Sequence, residues 1–434
     1  MVLRLQALCF YRELQGEQFV DMLALFSRNL LFHIFCSSMN LSVRYTFRRT
    51  WSCAVSCAII FAVLVLLSLS ELRAQSFTPK LAAVRGVWLT NVDSDAMTSR
   101  EKLRVTVELC KELGINTIFV VTWNRAMTLY PSRVMEQLTG IKIDPRFNGR
   151  DPLKELIEEA KPRGIKVFAW FEFGFSCSYD DPDGGIIIRR KPHWASRGVD
   201  GKIVSKNKFQ WMNAFLPEVQ DFVLSLLKEV VQNYDVDGIQ GDDRLPAVPS
   251  ETGYDSSTVA RYKAEHGGNE PPRYHKDFEW ITWRAEILND YMKRIARELR
   301  ALKPALVISM SPSIYPWSKE EYLQDWPTWL REGWVDLVCP QVYRYNIDSY
   351  KRELAIMLTR QVRPEDRFRV APGVLLKVSP YLASEELLRQ MTQANREAGL
   401  NGEVFFFYEG VKPRVEFFKA LYRERADFPE LLRR

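Results

Sequence analysis

From Val84 onward the apolar and polar positions of the chain follow two alternating rhythms. Short apolar runs, of the kind buried on both faces of a parallel sheet, are separated by longer stretches with a helical apolar period. The runs predict strands at 84–90, 117–123, 166–171, 236–241, 305–310, 335–343, 368–374 and 403–408. The stretches between them predict helices. Ser99 caps a helix running to Leu113, with Gly114 just past its end. Asp151-Pro152 opens a second, with proline at the first helical position, and Gly164 follows it. Segments 217–232, 278–302, 350–361, 384–398 and 415–425 read likewise.

Eight strands, most followed by a helix, argue for parallel strands joined by right-handed crossovers. The expected fold is α/β: a (β/α)8 TIM barrel with long insertions after strands 3 and 4, at 173–215 and 244–277. An open doubly wound sheet is the alternative. It would carry G-x-G-x-x-G after its first strand, where this chain has Trp88-Leu89-Thr90-Asn91-Val92-Asp93, and no Walker-type loop occurs.

Ahead of the barrel, residues 51–70 carry no charge, Arg44, Arg48 and Arg49 precede them, and Leu72-Arg73-Ala74 ends the run. This pattern predicts an N-terminal extension plus a signal peptide or membrane anchor over 1–74, with cleavage before Gln75. The run is also long enough to span a bilayer if it stays. Met39 is a natural start for such a signal. The barrel domain is then 75–434, exported to the periplasm or cell envelope, and touches a membrane only through an uncleaved segment.

Charge adds little. The chain has 60 Lys and Arg against 54 Asp and Glu, and residues 75–434 keep 53 against 50. Nothing in that balance supports a nucleic-acid partner. Of seven cysteines, only Cys110, Cys177 and Cys339 follow residue 75. They are read as buried free thiols, with a single Cys110–Cys177 bridge left open. His193, His266 and His275 lack zinc spacing, so no metal and no cofactor is expected.

A barrel gathers the residues at its C-terminal strand ends at one mouth. These are Asn91, Asp93, Trp123, Asn124, Glu172, Asp242, Asp243, Ser311, Gln341, Tyr343, Tyr345, Tyr408 and Glu409. Carboxylates, amides and aromatics without histidine or cysteine suit a sugar, and glycoside hydrolysis needs two carboxyl groups. In Asp235-Val-Asp-Gly-Ile-Gln-Gly-Asp-Asp-Arg244, alternation places Gln240 and Asp242 on one face. If Ile239 packs outward, Asp242 reaches the mouth. The structural alternative is that the Asp-Asp pair caps the next segment or forms a salt bridge. Asp242 is the candidate nucleophile or base. Glu172, after Val-Phe-Ala-Trp-Phe, is the candidate acid, and Glu409 is held in reserve. Asn91, Asp93, Trp123, Asn124, Asp243, Gln341, Tyr343 and Tyr408 are candidates for sugar binding, with Trp123 as a stacking platform.

Six further segments carry a resemblance. They are Arg85-Gly-Val-Trp-Leu-Thr, Gly114-Ile-Asn-Thr, Asp151-Pro-Leu with Arg163-Gly-Ile, Tyr234-Asp-Val-Asp-Gly-Ile with Asp242-Asp243, Ser309-Met-Ser-Pro-Ser, and Gly333-Trp-Val-Asp with Pro340-Gln-Val-Tyr. Together they resemble the family 10 glycosyl hydrolase-like proteins from about Arg85 to Glu409. The resemblance implies a TIM-barrel glycoside hydrolase and export. In some bacterial members it implies cleavage of peptidoglycan glycan strands that lack stem peptides. The family aspartate of the Asp-Gly-Ile motif maps onto Asp242. Gln-Gly-Asp-Asp-Arg is similar to cyanobacterial members. The chain departs at Glu172, where many members carry Asn, and at Arg244-Leu-Pro-Ala, where many have Tyr-x-Tyr-Pro. The expected activity is hydrolysis of a polysaccharide, with peptidoglycan glycan as one candidate. The alternatives are a glycan-binding barrel without catalysis and a membrane-anchored scaffold.

Overall fold

Strand and helix alternate eight times along residues 81–400 and 402–431, which a computed structural model describes. The strands are β1 (Val84–Leu89), β2 (Thr117–Val121), β3 (Lys166–Phe171), β4 (Gly238–Gly241), β5 (Val307–Met310), β6 (Leu337–Val338), β7 (Gly373–Leu375) and β8 (Gly402–Phe406). The helices that return the chain are α1 (Arg100–Leu113), α2 (Pro152–Ala160), α3 (Pro217–Asn233), α4 (Phe278–Leu302), α5 (Trp326–Arg331), α6 (Ile347–Arg360), α7 (Glu385–Glu397) and α8 (Val415–Leu421). The expected signal or anchor over 1–74 lies outside the described residues. Among those described, no helix is long and apolar enough to cross a membrane.

All neighbouring strands pair in parallel, in the order β6-β5-β4-β3-β2-β1-β8-β7. Two isolated parallel bridges, Val338 to Val370 and Gln341 to Gly373, join the ends of that sheet. Gly373 N donates to Pro340 O at 2.8 Å and Ala371 N to Val338 O at 3.0 Å. The sheet therefore curls into a barrel.

The helix signals act as their chemistry requires. Ser99 Oγ accepts from Lys102 N at 3.1 Å, and Gly114 closes α1 with φ 79°. Asp151 accepts from Lys154 N ahead of Pro152. Each such cap is worth about 1 kcal/mol. The barrel interior is an aromatic layer around a polar thread. Trp88 packs near Phe119, Trp170 and Phe406, with centroids 6.0–6.3 Å apart. Its Nε1 donates to Gln240 Oε1 at 2.7 Å, and Gln240 Nε2 donates to Ser309 Oγ at 3.0 Å. Gln240 thus points inward, as strand alternation demands. The glycine of Asp-Gly-Ile is steric: a Cβ on Gly238 would stand 2.3 Å from Phe168 Cε1.

Three boundaries differ from expectation. The sixth strand proper is only Leu337–Val338, and the chain reaches Gln341 as a single bridge. Phe368 belongs to a 3-10 helix, Pro364–Arg369, rather than a strand. There the buried Arg369 guanidinium donates to Leu330 O at 3.0 Å and Asp336 O at 3.3 Å, and these bonds hold the turn. The second strand stops at Val121. Trp123–Asn124 then pairs antiparallel with Met127–Thr128 in a hairpin that apolar patterning does not reveal. Its turn residues, Arg125 and Ala126, both have positive φ without being glycine or asparagine.

The insertion after β3 folds as a three-stranded sheet of Ser176–Tyr179, Phe209–Trp211 and Ser205–Lys206. The insertion after β4 carries the helix Ser256–Glu265. Cys110, Cys177 and Cys339 are buried and free, so the Cys110–Cys177 bridge does not form. Burial pushes the Cys110 and Cys339 thiols up to about 12.

Candidate active site

Asp242 follows β4 directly, and its side chain is buried. Three donors meet its carboxylate. Asp243 N lies 2.8 Å from Oδ1, Gln341 Nε2 2.6 Å from Oδ1, and Arg244 Nη2 3.0 Å from Oδ2. Gln341 Nε2 also donates to Ser311 O at 3.1 Å, which fixes the amide's orientation as a donor. Gln324 Nε2 holds the Asp242 backbone carbonyl at 2.9 Å.

Glu172 leaves the end of β3 toward the same point. Arg244 Nη2 lies 3.7 Å from its Oε1, and Arg244 Nε donates to its backbone carbonyl at 2.9 Å. Asn124 Nδ2, from the hairpin after β2, stands 2.5 Å from its Oε2. Asn124 Oδ1 has no partner. Asp242 Oδ2 and Glu172 Oε1 therefore share one nitrogen, at 3.0 and 3.7 Å, and are at most about 6.7 Å apart. Asp243 joins them through an ion pair of 3.0 Å to Arg244 Nη1.

Arg244 is the hub that the sequence reading did not single out. Its guanidinium lies 4.8 Å from the Phe209 ring centroid and 5.8 Å from that of Phe173. Gly174 makes room for its backbone: a Cβ there would fall 1.9 Å from Arg244 O. The available signal was the run Asp-Asp-Arg at a strand end, since an arginine beside two buried acids is their natural counter-charge.

Electrostatics follow from this geometry. Burial raises the Asp242 carboxyl well above the usual range, Asp243 and Glu172 add to the shift, and Arg244 opposes it. Burial raises Glu172 as well, against Arg244 and Asn124. Burial works against the charge of Arg244, yet Asp243, Asp242 and Glu172 together raise its pKa. Asp242 and Glu172, each raised in part by burial, share one guanidinium, and a proton retained on one of them relieves their repulsion.

The other expected residues divide. Tyr343 is at the site, with burial and then Asp242 and Asp243 raising its phenol well above the usual range. Asn91 is buried beyond β1 with both amide atoms unpartnered. Asp93 is exposed, with φ 53°. Glu409 stands in another cluster, accepting from Ser94 Oγ at 2.7 Å and paired with Lys412 at 2.8 Å.

Two expectations need correction. Trp123 is fully buried, packed edge-on to Phe222 with Nε1 on Gly174 O at 3.0 Å, so it is core and cannot stack on a sugar. Tyr408 is also core. Its short 3-10 turn directs the ring toward Thr106 and Cys110 of α1, away from the carboxylates. Exposed aromatics beyond the strand ends instead include Tyr179, Tyr274, Trp317 and Tyr345. Trp317 packs on Tyr322, whose phenol is pushed up to about 12 by burial and Asp243. No cluster among the described residues could hold a metal ion. A cavity of about 610 Å³ opens at the N-terminal face, lined by Lys111, Asn116, Lys166 and Arg425, and shares no residue with the carboxylates.

Comparison with known families matches residues 83–376 to the family described as Glycosyl hydrolase-like 10. The chain belongs to the glycosyl hydrolase-like 10 family. Among curated relatives, this glycosyl hydrolase-like 10 chain is 26% identical to the glycosyl hydrolase DigH of Escherichia coli K12, over 60% of this chain and 62% of that protein. It is 24% identical to the glycosyl hydrolase YngK of Bacillus subtilis, over 74% and 68%. The fold matches the glycoside hydrolase domain of PgaB (BpsB) from Bordetella bronchiseptica with TM-score 0.60 and 14% identity, covering 79% of this chain and 99% of that one. An α-L-fucosidase isoenzyme 2 from Paenibacillus thiaminolyticus gives TM-score 0.57 at 18% identity, over 79% and 49%. The glycosyl hydrolase-like 10 barrel therefore has a glycosidase fold.

Proposed function

We propose that the chain is an exported glycoside hydrolase that cleaves a polysaccharide with Asp242 and Glu172. The observation that carries this reading is the shared Arg244 nitrogen, which holds the buried Asp242 and the largely buried Glu172, from the ends of the neighbouring strands β4 and β3, within reach of one glycosidic bond. Asp242 is the ionised member. Its three fixed partners are all N–H donors, one of them the Arg244 guanidinium, and they favour its charge against the burial that raises its carboxyl. Glu172 is the protonated member. Burial raises its carboxyl, and turning the Asn124 amide over would offer the unpartnered Oδ1 to its proton.

Glu172 then protonates the leaving oxygen while Asp242 attacks the anomeric carbon. Water hydrolyses the glycosyl-enzyme with Glu172 as base. A separation of at most about 6.7 Å is compatible with this retaining course and reaches only the lower edge of the inverting range. Peptidoglycan glycan strands without stem peptides are the first substrate to try, because two glycosyl hydrolases are relatives and some bacterial members of the resembling family act there. Incubating the full chain and its Asp242→Asn variant with those strands and a polysaccharide panel tests the proposal. Fragments released by the parent alone, with retained anomeric configuration by NMR, support it. Binding without release by the parent favours the non-catalytic glycan-binding barrel. Export is tested by N-terminal sequencing of the mature protein, with Gln75 as the expected first residue.

A further inference from the structure

Next to Glu172 the hairpin after β2 presents an unused cation. Arg125 and Ala126 form its turn with φ 50° and 58°, a left-handed backbone that costs free energy in residues with a Cβ. Asparagine or glycine would relieve that cost; the arginine instead places a cation near the acid. Among the described residues Arg125 makes no ion pair. Its guanidinium lies 5.4 Å from the ring centroid of Tyr179, which is 39% exposed. Tyr179 in turn packs against Phe209 at 5.0 Å, and Phe209 against Arg244 at 4.8 Å. One aromatic wall thus runs from the carboxylate cluster out to Arg125. The Arg125 charge also reaches Glu172 and lowers its carboxyl, which works against a general acid unless an anion offsets it. Lys208 lies 5.9 Å from the Tyr179 ring, but Asp180 already pairs with it at 3.2 Å.

We propose that Arg125 and Tyr179 form a subsite for a carboxylate-bearing sugar on the leaving-group side of the cleaved bond. The proposal rests on the hydrolase reading above for its orientation. The pyranose face stacks on Tyr179, and its carboxylate takes the guanidinium through paired N–H donors. The leaving-group side follows from the hairpin itself, since Asn124, next to Arg125, holds the acid Glu172. Two sugar types share this chemistry: one with a lactyl ether acid and one with a uronic acid.

The test compares acids with their methyl esters. The full chain carrying Glu172→Gln is titrated with peptide-free peptidoglycan glycan strands and with oligogalacturonate, each in acid and esterified form, and cleavage by the parent is followed in parallel. The expected preference for at least one acid over its ester is about fivefold to tenfold, as for a half-exposed charged hydrogen bond. Arg125→Asn, which tolerates the left-handed turn, brings that ratio to near one, and Arg125→Lys retains most of it. The acid that shows the preference identifies the source. Equal binding of acid and ester, no binding of either acid, or a ratio kept by Arg125→Asn overturns the subsite. A preference that obeys Arg125 without any cleavage by the parent would sink the hydrolase reading instead and leave an acidic-glycan binder.

Discussion

At the N-terminal strand ends each buried carboxylate has its own partners. Glu403, fully buried in β8, takes both Arg396 nitrogens at 2.6 and 2.9 Å and Tyr422 Oη at 2.5 Å. Asp237, just before β4, takes Lys166 at 2.9 Å and Val167 N at 3.0 Å. Asp336, just before β6, takes Arg300 at 2.8 Å and Ile308 N at 2.9 Å. At the C-terminal ends three acids share Arg244, and Asn124 Oδ1, both amide atoms of Asn91 and Trp170 Nε1 are left unpaired. The first arrangement stitches helices and loops to strands. The second leaves charge and hydrogen-bonding capacity unused by the fold. Strand ends are chemically alike, so this imbalance singles out the C-terminal end as the candidate site.

The sharpest break in that comparison is Asp242→Asn. Activity on a cleavable glycan is expected to fall about 10³-fold or more while thermal melting stays cooperative. Glu172→Gln is expected to cost about 10²–10⁴-fold on natural glycans, and much less on aryl glycosides whose leaving group needs no proton. Equal losses on both substrates would remove Glu172 as the acid.

Arg244→Met and Arg396→Met compare the two ends directly. Each leaves buried carboxylate charge uncompensated, and each is expected to cost about 3–5 kcal/mol at neutral pH by denaturant unfolding. Only Arg244→Met should also abolish activity. A smaller effect comes from pH. The folded-state carboxyls of Asp242 and Glu172 are raised, so the native state holds protons that the unfolded chain releases. Their contribution is fully present below the unfolded carboxylate range and is lost as pH rises through the raised values. The Glu172→Gln variant should therefore show a shallower fall of Tm from acid to neutral pH than the parent. Smallest of all is Glu409→Gln, expected to change stability by under about 1 kcal/mol because it ends a rim ion pair with Lys412. A hundredfold loss of activity there would return Glu409 to the catalytic role.

Much of the barrel was legible in the chain because apolar period and caps are local signals. Ser99, Gly114, Asp151 and Pro152 mark helix ends through bonds made within a few residues, and the Asp-Gly-Ile strand aims Gln240 inward by alternation alone. Strand-end position also brought Glu172, Asp242, Gln341 and Tyr343 into one list. The errors fall where local pattern is silent. Trp123 and Tyr408 stand at strand ends like true mouth residues, but a hairpin turn and a 3-10 turn bury their rings. Arg369 holds the start of an expected strand in a 3-10 turn through partners, Leu330 and Asp336, over thirty residues away.

The sequence by itself determined eight βα units, the inward face of β4 and the set of strand-end residues, since periodicity and capping depend on neighbours along the chain. Only the tertiary structure decided that Arg244 would reach Glu172, that Glu409 would meet Ser94, and that Arg125 would stand over Tyr179 beside the acid. Those pairings join insertions and strands distant in sequence, and their energies depend on burial and ångström-scale distances that exist only once the barrel has closed.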